Sequence, residues 1–153
     1  RMGPRVPHPC ITTMALTVWA EARGESAAGQ KAVAWVIRNR WENPCWWSRS
    51  PGDGIADDTI AAVCRDPFQF SCWNPNDPNR WRLDSPKTQE RPDYLAIKTI
   101  CRAVLESTTA DDDPTSGSNH YCTRAIAHHT RWARGRTPVV VIGNHQFYRI
   151  DGN

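Results

Sequence analysis

MALTVWAEARGESAAGQKAVAWVIRNR, residues Met14–Arg40, reads as two helices joined by a short acidic turn. Met14, Val18 and Ala22 recur at the four-residue helical spacing, and Thr12 or Thr13 is placed to cap the first helix. The second helix starts near Ser26, with Ala32, Val33, Val36 and Ile37 forming one apolar stripe. Between them, EARGES sets Glu21 and Glu25 on either side of Gly24, where the first helix is expected to stop. Glu21 falls where the last helical carbonyls point, at the negative end of the helix dipole. That position, the like charge of Glu25 and burial under Trp19 all disfavour an ionised carboxylate. A carboxyl group kept protonated near neutral pH is what a general acid requires. The alternative is that both glutamates simply solvate a helix end.

A chain of 153 residues is expected to form one compact domain, burying roughly 70% of its unfolded surface. The net charge of +3 is too small to argue for a nucleic-acid partner, yet it suits a partner with some negative charge. The longest apolar run, Val139–Ile142, is far too short to cross a bilayer, so no membrane insertion is expected. No signal-peptide h-region is visible. Arg1 before Met2 reads as an added residue, and the protein as one made without a secretion signal.

Residues 1–13, with Pro4, Pro7 and Pro9, are expected to be an extended lead-in, leaving 14–153 as the functional domain. The run 42–54 reads as a loop, and Asp57 or Asp58 as the cap of a short helix over 59–64 that Pro67 ends. The stretch PFQFSCWNPNDPNRW (67–81) reads as an ordered surface loop in which Gln69, Ser71 and Asn74 place hydrogen-bonding groups beside Phe70 and Trp73. Pro92 opens a long helix whose apolar face is Tyr94, Ile97, Ile100, Cys101, Val104 and Leu105, ending near Ser107. Asp111–Asp113 reads as a solvated acidic turn. Asn119–Thr123 reads as extended, Val139–Ile142 as a strand, and Gly143-Asn144 as a hairpin turn into a strand from His145. The fold class is therefore mainly α with a small β-hairpin element, α+β, in one domain.

Six cysteines leave disulfides and free thiols equally open; Cys64–Cys72 is the first candidate bridge and Cys10–Cys101 the second. Eight tryptophans exceed what one small core needs, and their apolar faces suit the C–H faces of sugar rings. At least half of them are expected to serve the core and its rim.

The histidines include no H-E-x-x-H and the cysteines no C-x-x-C, so no metal or other cofactor is expected. His120 and Cys122 alternate along an extended segment and with His145 form only a weak ligand set. No G-x-S-x-G marks a nucleophilic serine. Glycoside cleavage remains. Its usual form places two carboxylates on opposite sides of the bond, roughly 5–5.5 Å or 6.5–9.5 Å apart. Glu21 and Glu25 stand one turn apart on one wall, and no spacing selects Asp53, Asp57, Asp66 or Asp77 as the opposite partner. A single acid, with the nucleophile supplied by the substrate, fits this arrangement better.

Four blocks then carry a resemblance: A-E-A-R-G-E-S-A-A-G-Q-K-A-V-A-W-V-I-R-N-R (20–40), F-Q-F-S-C-W (68–73), D-P-T-S-G (113–117) and T-P-V-V-V-I-G-N-H-Q-F-Y (137–148). In this order they resemble the cell wall hydrolase family of the spore-cortex lytic enzyme type, which also includes phage endolysins. The resemblance implies a lysozyme-like domain acting as a lytic transglycosylase on peptidoglycan glycan strands. Such an enzyme cuts the β-1,4 bond from N-acetylmuramic acid to N-acetylglucosamine and leaves 1,6-anhydro ends. It further implies Glu21 as catalytic acid and base. Glu25, Gln69, Phe70, Ser71, Trp73, His120 and Tyr121 are the candidate substrate-binding residues. Where the family carries a run of tyrosines this chain has Asn119-His120-Tyr121-Cys122, and Tyr121 is expected to hydrogen-bond Glu21 or the substrate. A phage-encoded monomer, released from the host cytoplasm to act on the wall, completes the expectation. A hydrolytic muramidase, a non-catalytic peptidoglycan-binding module and a zinc-dependent peptidase or amidase stand as alternatives.

Overall fold

The computed structural model describes residues 9–45, 59–66 and 69–151. Five α-helices occur among them: α1 Pro9–Ala22, α2 Ala27–Glu42, α3 Ile60–Arg65, α4 Arg80–Asp84 and α5 Pro92–Glu106. Three short strands follow, β1 His120–Thr123, β2 Val140–Ile142 and β3 His145–Tyr148, in the antiparallel order β1-β3-β2. The expected class, helices with a small hairpin element, is the one observed.

The core is helical. α1 packs against α2, α3 and α5, and Met14, Val18, Trp19, Val33, Trp35, Val36, Ile37, Tyr94 and Ile97 lose nearly all contact with water. On α5 the expected face is observed: Tyr94, Ile97, Cys101, Val104 and Leu105 are buried and Ile100 is half-buried. α2 starts as its sequence suggests, with the Ser26 hydroxyl accepting from the Gly29 amide at 3.3 Å. Its last full turn is unusual, because Arg38, Asn39 and Arg40 are buried. Each one ties α2 to another element. Arg38 donates to the Val104 and Ser107 carbonyls at 2.6 and 2.7 Å, closing the end of α5, and pairs with Glu42 at 2.7 Å. Asn39 donates to Asp113 and to the Ser118 carbonyl, and Arg40 to the Asn119 carbonyl at 2.7 Å. Buried polar groups persist only when partnered in this way.

Several expectations are corrected. The lead-in over 1–13 is not extended up to Thr13, because α1 begins at Pro9. A proline in the first helical turn forfeits no hydrogen bond, so Pro9 starts the helix and Thr12 and Thr13 lie inside it. Residues 1–8, the loop tryptophans Trp46 and Trp47, and the proposed caps Asp57 and Asp58 lie outside the described residues. The cap actually seen on α3 is Thr59, whose hydroxyl accepts from the Ala62 amide at 3.0 Å. α1 ends at Ala22, two residues before the expected stop at Gly24, and positive φ among the described glycines is found at Gly117, Gly135 and Gly143. Asp111 and Asp112 of the acidic turn are exposed as expected, but Asp113 is anchored. Asp113 is buried and accepts from the Thr115 amide and hydroxyl, the Gly117 amide and Asn39. Cys72 and Cys101 carry unbonded, buried thiols, so neither proposed bridge forms.

The strands separate residues by alternation. His120 pairs with Tyr148 and Cys122 with Gln146, whereas Tyr121 pairs with Phe147 and Thr123 with His145. Partners opposite one another share a face. Tyr121, Phe147 and His145 therefore face the helical core. Cys122 and Tyr148 face a separate small cluster with Ala133 and Ile150, against which Trp132 and Ala127 pack. His120, Cys122 and His145 were a weak ligand set in the sequence; the pleat divides them between two faces. Among the described residues no group of three or more His, Cys, Asp or Glu side chains is arranged to hold a metal. No helix among them is long and apolar enough to cross a membrane.

Candidate active site

Thr17 and Glu21 are one helical turn apart, so both side chains leave α1 on the same face. Thr17 is fully buried there and its hydroxyl accepts from the Trp73 indole N–H at 2.9 Å. One turn further on, that face runs out toward solvent, and Glu21 is half-buried at its rim. It lines a depression of about 90 Å³ together with Ser71, Cys72, Asp77, Asn79, Arg23 and the edge of Trp19. From the sheet, the Tyr121 hydroxyl donates to Glu21 Oε1 at 3.0 Å. This is the bond expected of Tyr121.

Burial raises the Glu21 pKa above the ordinary carboxylate value, and the negative charge of Asp77 raises it further. The Tyr121 hydrogen bond and the cationic Arg40 pull the other way without cancelling these effects. With Oε1 occupied by the phenol, the exchangeable proton belongs on Oε2, which has no protein partner among the described residues. When Glu21 is protonated, Oε2 is therefore the oxygen free to pass the proton on.

Glu25 is different. Both its oxygens accept from Asn144, Oε1 from the backbone amide and Oε2 from the side-chain amide, each at 3.1 Å. Those bonds hold its carboxyl below the ordinary value, and His145, 3.8 Å from Oε1, adds a smaller effect in the same direction. Gly143 explains the fit: its φ is +59°, and a Cβ there would come within 2.8 Å of Glu25 Oε1. Only glycine lets the hairpin turn close over the carboxylate. Glu25 is a clamp between the EARGES turn and the hairpin, each of its oxygens already accepting one hydrogen bond from Asn144.

The other candidates divide. Ser71 is exposed in the depression and stays in the site. Gln69 is half-buried and accepts from Arg40 at 3.2 Å. Phe70 and Trp73 are 2% and 7% exposed; they are core side chains behind the wall and not sugar platforms. Pro75 and Pro78 imply a surface loop, but a single 3₁₀ turn over 71–73 buries Phe70, Cys72 and Trp73. His120 is 3% exposed, its Nδ1 lies 2.7 Å from Asn119 Oδ1 and its ring lies on Trp132. Burial, with Arg40 and Arg136 nearby, drops its pKa to about 3, so it is neutral and faces away from Glu21. Of the tryptophans described, Trp81 alone is widely exposed, at 63%. It sits on α4 two residues before Leu83, which lines the depression, and leaves the helix on a different face.

Two residues near Glu21 were not singled out by the sequence. Asp77 was one of four undistinguished aspartates, and the loop 74–79 brings it to the depression. Arg40 reads as one letter of a polar run at the end of α2. It is buried over the Phe70 ring, and burial lowers its pKa to about 10. Neither has a local signal, since each reaches Glu21 only through the tertiary fold.

A wider hollow of about 670 Å³ lies at the far end of α2, lined by Trp35, Asn39, Glu42, Asp113 and Asp151 among others. Its carboxylates are already paired: Glu42 with Arg38, Asp151 with Arg149 and Asp113 with its own turn. It offers volume without a proton donor, and the smaller depression has one.

The helical domain thus presents a partly desolvated carboxyl, Glu21, beside the Tyr121 phenol. The chain belongs to the cell wall hydrolase family, whose model matches residues 24–148; it is an enzyme of that class. Glu21 stands three residues before the matched stretch. The chain is 30% identical over 137 residues to the spore cortex-lytic enzyme of Halalkalibacterium halodurans, which covers 90% of this chain and 34% of that protein. It therefore spans about a third of the length of that relative. Two solved structures share the fold. The catalytic domain of the germination-specific lytic transglycosylase SleB of Bacillus anthracis aligns at a TM-score of 0.61 and 25% identity, covering 92% of this chain and 94% of that one. The catalytic domain of Bacillus cereus SleB aligns at 0.60 and 26%, covering 95% and 98%. These relatives are bacterial, and the phage origin expected above finds no support in them.

Proposed function

We propose that this enzyme cuts the β-1,4 bond between N-acetylmuramic acid and N-acetylglucosamine in peptidoglycan as a lytic transglycosylase, with Glu21 as acid and base. The observation that carries the reading is the Glu21 carboxyl, raised in pKa by burial and held by Tyr121 at 3.0 Å. The protonated acid gives its proton to the glycosidic oxygen as the C1–O bond breaks. The resulting carboxylate takes the proton of the muramic C6 hydroxyl as that oxygen bonds to C1, closing the 1,6-anhydro ring. Proton and electron pair balance, no water is consumed, and the acid is regenerated. Tyr121 steadies the carboxylate between the two steps, which is when a charge-assisted hydrogen bond is strongest. Ser71 and Asn79 are the groups available to hold sugar rings. The naming of a solved relative as a lytic transglycosylase supports the same chemistry.

Asp77 favours one second reading. A second carboxylate in the depression suits a hydrolytic muramidase, in which it activates or orients water. Mass spectrometry of the soluble products separates the two. Muropeptides one water lighter than hydrolysed ones are the expected outcome; reducing ends with the full water mass assign the hydrolytic mechanism to this site.

A further inference from the structure

From Pro114 to Ile150 the sequence contains no aspartate or glutamate, yet it contains Arg124, Arg131, Arg134, Arg136 and Arg149. The overall charge of +3 hides this asymmetry, because the excess acid lies elsewhere in the chain. The first four of these arginines occupy the tongue that links β1 to β2, and all four are exposed. Four of the nine described arginines outside the tongue have carboxylate partners: Arg38 with Glu42, Arg80 with Asp84, Arg91 with Asp93 and Arg149 with Asp151. Among the described residues no carboxylate lies within ion-pair distance of the four in the tongue.

The tongue is a built surface. Trp132 packs on the His120 ring at 4.9 Å and edge-on to Tyr148 at 5.3 Å, and Ala133 is buried in the same cluster. Backbone bonds from His129 to Ile126, Arg134 to Thr130 and Arg136 to Ala133 wind the segment tightly, and the Arg136 side chain closes on the Trp132 carbonyl at 2.8 Å. Four like charges held on a fixed frame repel one another with no internal compensation. Such an arrangement is stabilised when an external anion neutralises it. All four are arginines, whose planar fork binds an oxyanion through two parallel hydrogen bonds.

The tongue begins beside the turn that holds Glu25, while its aromatic cluster packs on the sheet face opposite Tyr121. Arg124 follows Thr123 directly, and its amide donates at 2.8 Å to the carbonyl of Asn144, the residue that clamps Glu25. A polymer much longer than the Glu21 depression can present its appended groups to surfaces beyond that depression. Peptidoglycan carries such groups: each muramic acid bears a peptide with free carboxylates.

Resting on the substrate reading above, we propose that the 124–136 tongue is a docking surface for the peptide-stem carboxylates of the substrate, holding the wall while the glycan occupies the Glu21 depression. The test uses purified sacculi stripped of phosphodiester polymers, with binding measured by sedimentation. Changing Arg124→Gln, Arg131→Gln, Arg134→Gln and Arg136→Gln together is expected to weaken binding about tenfold or more at low salt, four exposed pairs each contributing a fraction of a kcal/mol. The difference should vanish near 1 M salt, where screening acts within about 3 Å. The corresponding fourfold lysine variant should recover most of the binding. Amidating the carboxylates of the sacculi should weaken the unaltered protein to the same degree, an arm that needs no variant. Equal binding by altered and unaltered protein, or by native and amidated sacculi, overturns the proposal. So does binding that requires the phosphodiester polymers. Cleavage of a peptide-free glycan oligomer keeps the two claims apart. The glutamine variant should cut it at the unaltered rate, while failure of both proteins to cut it would count against the catalytic reading and not against the tongue.

Discussion

Glu21 and Glu25 are four residues apart on either side of one turn, and the fold treats them in opposite ways. Glu21 ends α1 in a depression where burial and Asp77 oppose its ionisation. Glu25 precedes α2 and is held ionised by two donors from Asn144, 119 positions along the chain. The same side chain becomes an acid in one place and a fastener in the other. Local sequence delivers both carboxyls to the turn; the distant hairpin decides which of them keeps its proton.

The largest expected effect tests the first half of that contrast. Glu21→Gln preserves size and hydrogen bonding but removes the proton donor. It should reduce release of soluble muropeptides by about 10²–10⁴-fold, the usual contribution of general acid–base catalysis, while the thermal unfolding transition stays in place. Trp73→Ala should do the reverse. Losing a buried indole, and leaving Thr17 without its donor, should cost about 3–5 kcal/mol, read as a lower unfolding temperature. Loss of wall binding with the unfolding temperature unchanged would return Trp73 to the list of sugar platforms.

Glu25→Gln should leave turnover within about tenfold, since general acid–base catalysis does not pass through it, and weaken the fold by about 1–2 kcal/mol at neutral pH through poorer hydrogen bonding to Asn144. The pH dependence has a definite sign. Because the folded pKa of Glu25 lies below its ordinary value of 4.5, its contribution is complete above that value. It is lost as pH falls through the folded pKa. Denaturant unfolding of the two proteins should therefore converge in acid; a gap that widens there would contradict the clamp.

The smallest effects are paired shifts in the pH–rate profile. In the proposed mechanism activity needs Glu21 protonated, so it should decline as pH rises through the Glu21 pKa. Asp77→Asn removes a charge that raises this pKa and should move the alkaline limb to lower pH. Tyr121→Phe removes a hydrogen bond that lowers it and should move the limb to higher pH. Shifts in the same direction would mean that Glu21 does not govern the limb.

Much of this was legible in the sequence, because helical periodicity and turn chemistry are local. The Met14–Arg40 helices, the α5 face and the Gly143-Asn144 turn follow from spacing alone, whereas the choice of Glu21 over Glu25 rests on the resemblance to the cell wall hydrolase family. What was missed depends on contacts between distant segments. Nothing in QFSCW distinguishes an aromatic that grips a sugar from one that fills a core, and Phe70 and Trp73 do the latter. Alternation made His120 and Tyr121 equally available, and only the register with β3 turns the phenol toward Glu21 and the imidazole away. Asp113 looked like a charge in water because its partner Asn39 is 74 residues earlier. Asp77 and Arg40 carry no local mark at all.

The contrast between the two carboxyls can be measured without substrate. With ¹³C-carboxyl-labelled glutamate, five resonances arise from this chain, and Glu21→Gln and Glu25→Gln assign the two that matter. In an NMR titration Glu21 should change protonation above the ordinary value of 4.5 and Glu25 below it. Coincident titrations, or the reverse order, would contradict the account.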